Sequence, residues 1–385
     1  GWHFDVTLHN LSGAEATYEL SSQALSEIVE AGFFTEHSSD WRGHGVEITY
    51  SGTAVSGSGE GAQVTVPASG EATVGIDITP GSEFASYVAD NTPNGTFLDG
   101  FVRFASRTDG QPDLAVPYLG FYGDWGKPAI FDALASDGKG HMRASGIYNG
   151  ETGELLGFNP LLKGNDRPEK PDPYGYVLSR SEATGAASVL EPRTGTLRGV
   201  HTLNTVYTNE TGDVIASFAR YQNWKSVFDP MTTTVSWVER EHEPTSLDIR
   251  SNKYKDLPDG EYTLTISAHN DGPSSADQSI NYKFRIDTTA PTIEGVRYTG
   301  EAEDTIVTLT LVDSSPMAAF DLHDPSDGLW FYRHILSDAD QIADKDGKYR
   351  YEVDVPMSAI SRAWTDQGGH GSVVANPYVL AWDYG

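Results

Sequence analysis

The chain has 385 residues, of which 55 are acidic and 26 are basic, so its formal net charge at pH 7 is −29, and it contains no cysteine. So strong a negative charge argues against binding nucleic acid or docking electrostatically on an anionic membrane, because like charges repel. The lack of cysteine excludes disulfides, cysteine-ligated zinc, iron–sulfur clusters and a cysteine nucleophile.

Strand-like alternation of apolar and polar residues is the dominant pattern along the chain. It begins at Trp2, Phe4, Val6 and Leu8, where every second side chain is apolar. A period of two is typical of half-buried antiparallel strands. Five later segments repeat it, at 46–50, 74–78, 262–266, 307–311 and 349–355.

Tight-turn dipeptides separate many of these runs. Asp-Gly or Asn-Gly pairs occupy positions 137–138, 149–150, 259–260, 271–272 and 346–347. Such pairs supply the positive φ angles that short hairpin turns require. Together with the alternation, they predict an all-β protein made of three β-sandwich modules, fibronectin-III-like or immunoglobulin-like, in series.

One segment has a helical pattern instead. Between Gln23 and Ala31, Leu25, Ile28 and Val29 fall at i, i+3 and i+4, and Gly32 follows as a stop signal. This spacing predicts a short helix.

Two breaks divide the chain into modules. The first lies at Gln111-Pro112-Asp113, and the second is the polar connector 286–291, which contains Pro291. They predict modules at 1–112, 113–287 and 288–385. The middle module is longer than an ordinary sandwich of about 100 residues and should carry inserted loops, most visibly at 163–173. Both chain ends interrupt strand-like runs, so we expect a piece of a longer protein whose third module is cut at its C-terminal end.

Familiar catalytic motifs are missing from the sequence. It has no G-x-S-x-G turn, no H-E-x-x-H pair, no P-loop and no G-x-G-x-x-G between a strand and a helix. The 11 histidines are dispersed. His242 and His370 have neighbours that would suit a base or a ligand, but isolated surface histidines usually do neither.

Acidic loops raise the question of calcium. The aspartates between Asp338 and Asp346 precede Gly347, but Ile342 stands where an EF-hand needs an oxygen ligand. A hairpin turn over 344–348 explains this segment as well. The oxygen-rich loops 90–95 and 209–213 remain open as surface calcium sites, and otherwise we expect no metal or cofactor.

Aromatic residues are concentrated in two places. One is the segment 118–125, and the other comprises Trp364, Trp382 and Tyr384 near the C-terminus. Exposed aromatic rings can form a platform for sugars, but dense clusters at a module boundary more often pack between domains. The sequence favours packing and leaves the sugar platform open.

Two runs carry a family resemblance: Asp99-Gly100-Phe101-Val102-Arg103-Phe104 and, after a turn, residues 114–125 with the sequence LAVPYLGFYGDW. They resemble the region that follows the catalytic domain in subtilisin-like cell-envelope proteinases, a family that includes lactocepin and the streptococcal C5a peptidase. Segments 259–262, 284–291 and 379–384 are also similar to this family. In it, the signature closes the first fibronectin-III-like domain and opens the second. The expected structural junction between modules comprises Phe101, Phe104, Pro117, Tyr118, Phe121, Tyr122, Asp124 and Trp125.

The resemblance implies a secreted parent protein, a serine endopeptidase of the bacterial cell wall or cell surface, whose catalytic triad lies upstream. The Gly-Thr-Ser-Met-Ala turn of the catalytic domain is absent here, so no triad residue is carried over and this chain is expected to be non-catalytic. Its expected partners are the upstream catalytic domain and protein substrates, with no nucleic acid and no membrane insertion. Residues 179–185 depart from an acidic loop common in the family, so no metal site is implied there.

Charge is distributed unevenly along the chain. Residues 1–110 hold 15 acidic residues and only three basic ones, Arg42, Arg103 and Arg107, and the first lysine is Lys127. The lysine-free first module is therefore the one expected to face a catalytic domain or a cationic substrate. The alternative to the whole interpretation is a surface adhesin or a carbohydrate-binding β-sandwich array.

Overall fold

The protein is described by a computed structural model. It covers residues 1–143, 145–179, 187–223, 228–229, 234–235, 238–239, 245–248, 253–270, 276–345, 347–369 and 377–384. Strands hold 53% of the chain and helices 9%, and the sheets are mostly antiparallel, so the predicted all-β sandwich class is confirmed. No helix among these residues is long and apolar enough to cross a membrane.

The first compact unit runs from Gly1 to Pro128. Its elements are β1 (Trp2–His9), β2 (Ala16–Ser22), β3 (Leu25–Glu30), β4 (Phe33–Asp40), β5 (Val46–Ser51), β6 (Val55–Ser56), β7 (Gln63–Val66), β8 (Glu71–Pro80), α1 (Ser82–Asn91), β9 (Thr96–Ser106) and β10 (Leu114–Tyr122). One sheet has the order β1-β8-β5, and the other has the order β4-β3-β9-β2-β7-β6, with β10 also paired to β9.

A single hydrophobic core lies between these two sheets. The alternation predicted for 74–78 is confirmed, because Val74, Ile76 and Ile78 of β8 are buried there. They pack with residues from the second sheet such as Leu20 and Phe104. Burial of such apolar side chains is the main force that holds a sandwich together.

The helix predicted between Gln23 and Ala31 is wrong. Leu25–Glu30 is strand β3, which forms a hairpin with β4, and Ala31 and Gly32 make the turn with φ angles of 51° and 82°. The register shifts between Glu27 and Val29. This shift is a bulge-like irregularity, so the apolar spacing no longer follows a regular period of two and resembles that of a helix.

The described part of the chain contains two α-helices that the sequence did not predict. In α1, Phe84 and Val88 lie one turn apart and are both buried. In the second compact unit, α2 (Met357–Asp366) buries Ile360. Each helix is only ten residues long. So short a stretch offers too few apolar positions for the helical period to stand out.

The second compact unit holds residues 129–271 and 276–385. Its first strands are β11 (Gly146–Asn149), β12 (Val177–Leu178), β13 (Leu190–Thr194), β14 (Val200–Asn209), β15 (Val214–Asn223), β16 (Phe228–Asp229), β17 (Thr234–Val235), β18 (Val238–Glu239), β19 (Thr245–Asp248), β20 (Lys253–Asp256), β21 (Gly260–His269) and β22 (Gln278–Ile286). Short 3-10 helices lie at Ala135–Asp137 and Gly164–Asp166. The main sheets are β12-β22-β21-β14-β15 and β11-β13-β18, and two hairpins pair β16 with β17 and β19 with β20.

The rest of this unit contains two more sheets. Its elements are β23 (Thr292–Thr299), a 3-10 helix (Ala302–Asp304), β24 (Ile306–Asp313), β25 (Met317–His323), β26 (Trp330–Ile335), β27 (Gln341–Lys345), β28 (Lys348–Pro356), α2 and β29 (Tyr378–Asp383). The sheet orders are β23-β24-β28-β27 and β26-β25-β29. One hydrophobic cluster lies before the connector 287–291 and another after it.

The predicted module boundary at residue 112 falls inside a hairpin. Strand β10 pairs with β9 from Leu114 opposite Phe104 to Tyr122 opposite Thr96. Residues 114–122 thus belong to a sheet of the first unit, and a cut at 112 would separate two paired strands. Pro112 lies in the turn between them. The division into three modules and the boundary at 287 stay predictions.

Candidate functional site

The β9–β10 hairpin carries most of the predicted junction residues, and its alternation sends them to two faces. On β9, Phe104 is buried in the core, while Phe101 is 41% exposed. On β10, Tyr118 and Tyr122 pack against the core, while Leu119 is 68% exposed. Successive side chains of a strand point to opposite faces, so one hairpin serves both the core and an outer surface.

The inward residues hold the hairpin to the sandwich. The ring of Tyr118 lies 6.0 Å from that of Phe4, and its hydroxyl donates a hydrogen bond to the carbonyl oxygen of Gln23 at 2.5 Å. Desolvation by burial raises the pKa of this hydroxyl, so it stays a neutral donor. Three of the predicted junction residues, Phe104, Tyr118 and Tyr122, therefore support the first unit from within.

Tyr122, the last residue of β10, also makes aromatic contacts with the core. Its ring meets that of Trp2 edge-on at 6.3 Å and that of Phe84 at 5.3 Å. These rings come from β1 and α1. Edge-to-face aromatic pairs of this kind add to the energy of area burial.

The outward residues form an aromatic cluster at the end of the hairpin. The ring of Phe121 lies 4.9 Å from that of Trp125 and 5.4 Å from that of Phe97, and Phe97 lies 6.1 Å from Trp125. All three pairs are edge-to-face. Asp124 accepts a hydrogen bond on Oδ1 from the backbone N–H of Gly126 at 2.9 Å, which orders the turn that presents Trp125.

Farther along the same face, Phe101 lies opposite Pro117 on the neighbouring strand. The guanidinium of Arg103 lies 5.4 Å from the centre of the Phe101 ring, a cation–π contact. The sequence missed Phe97 and Leu119, although both occupy outward positions of the same alternation. We call this surface the aromatic face; its members are Phe97, Phe101, Pro117, Leu119, Phe121 and Trp125.

A second exposed surface lies on the sheet β26-β25-β29. Trp330 and Trp382 are 46% and 45% exposed, and Tyr378 is similarly accessible. Between the two tryptophans lies Asp321, which pairs with Arg333 across the sheet. We call Trp330, Arg333, Tyr378, Leu380 and Trp382 the β25 platform, after the central strand.

Side-chain contacts orient the rings of the β25 platform. The indole N–H of Trp382 donates to Asp321 Oδ2 at 3.1 Å, and the Arg333 guanidinium lies 5.1 Å from the centre of the Trp330 ring. The imidazole of His323 stacks on Tyr378 at 4.9 Å.

The aromatic group predicted near the C-terminus is not one cluster. Trp364 lies on α2 and packs edge-on against Phe331 of the core at 5.2 Å, whereas Trp382 belongs to the β25 platform. Tyr384 is half-buried, and desolvation raises the pKa of its hydroxyl. Packing therefore explains Trp364, while the interpretation as a platform applies to Trp382.

Two of the acidic segments use side-chain oxygens in internal hydrogen bonds. In loop 209–213, the hydroxyl of Thr211 donates to Asn209 Oδ1 and to Asp213 Oδ2, both at 2.8 Å. The pKa of Asp213 is lowered by the hydrogen bond from the Thr211 hydroxyl and, second, by one from the Asn209 side-chain amide at 3.3 Å. Asp340 likewise accepts from the backbone and hydroxyl of Ser337.

Within the described ranges, no three His, Asp or Glu side chains are grouped as a metal centre. Calcium binding by these loops stays a prediction. Residues 180–185, His242, Asp346 and His370 lie outside the residues that the structure describes.

Residues 2–119, which include every strand of the first unit except the end of β10, match the family model of an Fn3-like domain. Such a domain is not a catalytic domain. The chain is 23% identical over 310 residues to a PII-type proteinase of Lactococcus lactis subsp. cremoris, which covers 78% of this chain and 15% of that protein.

Two further relatives agree. A PII-type proteinase of Lacticaseibacillus paracasei is 24% identical over the same shares of the two chains. The C5a peptidase of Streptococcus pyogenes serotype M1 is 34% identical over 79 residues, or 20% of this chain and 6% of that protein. The resemblance predicted from residues 99–125 is thereby confirmed. The chain spans about 15% of the length of the PII-type proteinases that it matches.

Proposed function

We propose that this chain is a non-catalytic accessory β-sandwich array of a secreted, cell-wall-associated subtilisin-like serine endopeptidase. In this proposal it supports the catalytic domain of the same protein and docks large protein substrates or spaces the catalytic domain from the wall. The similarity to PII-type proteinases and C5a peptidase supports the parentage.

The aromatic face is the observation that carries the accessory function. It places the exposed side chains of Phe97, Phe101 and Leu119 on the outer side of an Fn3-like domain, where a free-standing sandwich would normally have polar side chains. Contiguous exposed apolar patches usually mark interfaces, and aromatic side chains supply most of the energy there. The occupant that we propose is the catalytic domain of the parent protein.

The test uses the full parent proteinase with Leu119→Asp. This change leaves the core untouched and adds a charge to the proposed interface. We expect a shorter half-life of activity at elevated temperature and a lower kcat/KM on a denatured protein, because the catalytic domain loses its support. Phe34→Asp is the matched control, since Phe34 is 63% exposed on β4 and lies outside the aromatic face. Equal behaviour of the two variants, or peptide-bond hydrolysis by this chain alone, would refute the proposal.

A second candidate function is carbohydrate binding by the β25 platform. Trp330 and Trp382 offer exposed indole faces, and the polar pair Asp321 and Arg333 between them keeps those indoles in place. Aromatic platforms with few fixed polar groups suit neutral sugars. A polysaccharide pull-down should then lose binding in Trp330→Ala but not in Tyr298→Ala, an exposed aromatic on β23. If the wild type retained no wall polysaccharide, carbohydrate binding by the β25 platform would be refuted.

A further inference from the structure

Three distant segments of the second unit meet at a group of three carboxyl side chains, two of which are buried. Asp287 begins the connector after β22, Asp313 ends β24, and Asp383 ends β29. Asp313 is 4% exposed and Asp287 is 3% exposed. Within the described part of the chain, neither of these two takes part in an ion pair.

Asp287 is well provided with hydrogen-bond donors. Its Oδ1 accepts the backbone N–H of Thr289 at 3.0 Å. Its Oδ2 accepts the hydroxyl of Ser315 at 2.5 Å and also that of Ser314. Both oxygens of the Asp287 side chain therefore have hydrogen-bond donors.

Asp313 differs from Asp287 because one of its two carboxyl oxygens receives no hydrogen bond. Its Oδ1 accepts the backbone N–H of Ser314 at 2.7 Å. Its Oδ2 is buried and receives no hydrogen bond from an N–H or O–H donor. The side chain within hydrogen-bonding reach is another carboxyl group, that of Asp383. A buried charged oxygen without a donor would cost several kcal/mol.

The described neighbours of Asp313 disfavour a negative charge on its side chain. Burial is the largest cause that raises the pKa of Asp313 to about 8, and the charges of Asp287 and then Asp383 raise it further. On the neighbouring strand β28, Tyr349 lies opposite Asp313, and Tyr351 accepts the N–H of Met317 on its hydroxyl. Desolvation raises the pKa of both tyrosines, so both face the group as neutral phenols.

We propose that Asp313 is protonated at neutral pH and donates this proton from Oδ2 to the carboxylate of Asp383, so that the two side chains share one proton. Two carboxylates within hydrogen-bonding reach repel each other strongly when both are charged, which favours a proton on one of them. The shared proton joins the end of β24 to the end of β29. The carboxylate of Asp287 joins the connector to the same point through Ser314 and Ser315.

The pair makes the stability of this unit dependent on pH. An unfolded aspartate titrates near pH 3.9. Because the folded pKa of Asp313 is higher, the folded state binds more protons between these two values. The stabilisation that protonated Asp313 contributes is therefore complete below about pH 4 and is lost as the pH rises to about 8. Above that range, the added negative charge weakens the attachment of β29.

The experiment measures urea unfolding of the whole chain from pH 5 to pH 9. Asp313→Asn is the test variant, because an asparagine can donate to Asp383 without titrating. We expect the unfolding constant of the wild type, relative to this variant, to rise up to tenfold per pH unit below about pH 8. Glu301→Gln, an exposed acid of the same unit, is the control and should keep the wild-type slope.

Two further measurements keep the proposal falsifiable. Asp383→Asn should also flatten the slope, and it serves if Asp313→Asn does not fold. The infrared band of a protonated carboxylic acid should be present in the wild type at pH 7 and absent in Asp313→Asn. Identical slopes in the wild type and both variants would overturn the proposal. It would also fail if Ca²⁺ raised the Tm of the wild type but not of Asp313→Asn, because the group would then hold a cation in place of the proton.

Discussion

Asp321 and Arg333 form a two-point ion pair across strands β25 and β26, with both nitrogen–oxygen distances at 2.6 Å. The Asp321 side chain is 1% exposed, whereas that of Arg333 is 32% exposed. The hydrogen bond from Asp321 raises the pKa of Arg333 further above its ordinary value. Paired Arg–carboxylate geometry is the strongest form of side-chain ion pair.

Because the two side chains are unequally buried, we expect Arg333→Ala and Asp321→Asn to lower the stability by different amounts. Arg333→Ala removes both guanidinium hydrogen bonds from a buried carboxylate, which keeps the Trp382 indole as a donor and the His323 imidazole at 3.9 Å. We expect a loss of about 3–5 kcal/mol in the free energy of unfolding. Asp321→Asn leaves Arg333 able to reach water, so its loss should be smaller. Urea unfolding measures both. As a control, Arg107→Ala breaks the exposed pair with Glu19 and should cost at most about 1 kcal/mol. A loss from Arg333→Ala no larger than that of the control would contradict this prediction.

Gly95 should not tolerate a side chain. Its φ angle is 96°, and a Cβ there would lie 2.8 Å from the carbonyl oxygen of Tyr122 and 2.4 Å from the Phe121 ring. Gly110 is the matched control, because its φ is 80° but a Cβ would meet nothing within 4 Å. We expect Gly110→Ala to cost about 1–2 kcal/mol from backbone strain alone, and Gly95→Ala to cost clearly more. Thermal unfolding distinguishes the two, and equal losses would show that the hairpin end relaxes without strain.

Phe84 should be the main anchor of helix α1. It is fully buried, and its ring meets those of Trp41 at 5.2 Å and Tyr122 at 5.3 Å. Phe84→Ala should cost about 3–5 kcal/mol, because it removes apolar contacts and leaves a cavity. Phe33→Ala removes the same ring from an exposed position on β4 and should change stability by less than about 0.5 kcal/mol. If chemical denaturation gave similar values for both, the packing described for α1 would be wrong.

One substitution should stabilise the turn between β3 and β4. Ala31 has a φ of 51°, a region that an alanine rarely adopts, and Gly32 follows at 82°. An Asn-Gly pair prefers this turn geometry. Ala31→Asn should therefore raise the Tm slightly, with a gain of up to about 1 kcal/mol, whereas Ala31→Val should lower it. A helix at this position would respond in the opposite way, since asparagine is a weaker helix former than alanine.

Local pattern alone predicted six of the longer strands, namely β1, β5, β8, β21, β24 and β28. The runs at 262–266 and 349–355 lie in β21 and β28, and in β21 Tyr262, Leu264 and Ile266 are all buried. Alternation is a property of neighbouring residues, so it can be recognised without knowledge of the partner strand. The same reasoning failed where a bulge disturbed the period, as in β3.

The candidate surfaces were predicted only in part. The signature in 99–125 identified Phe101, Phe121 and Trp125, but it did not separate them from Phe104 and Tyr118 in the core. That separation depends on which strand face meets the opposite sheet. A shift of one residue in register would exchange the inward and the outward side chains of a strand. The register is set by pairing between strands.

The sequence by itself determined the all-β class, the chemistry that an acidic chain without cysteine can support, and the family that the 99–125 signature resembles. Only the tertiary structure decided which side chains meet. It placed β10 in a sheet of the first unit, and it brought Asp287, Asp313 and Asp383 together from three separate segments. The physical reason is that patterning acts over a few residues. Contacts such as the Asp313–Asp383 pair depend on how whole strands pack.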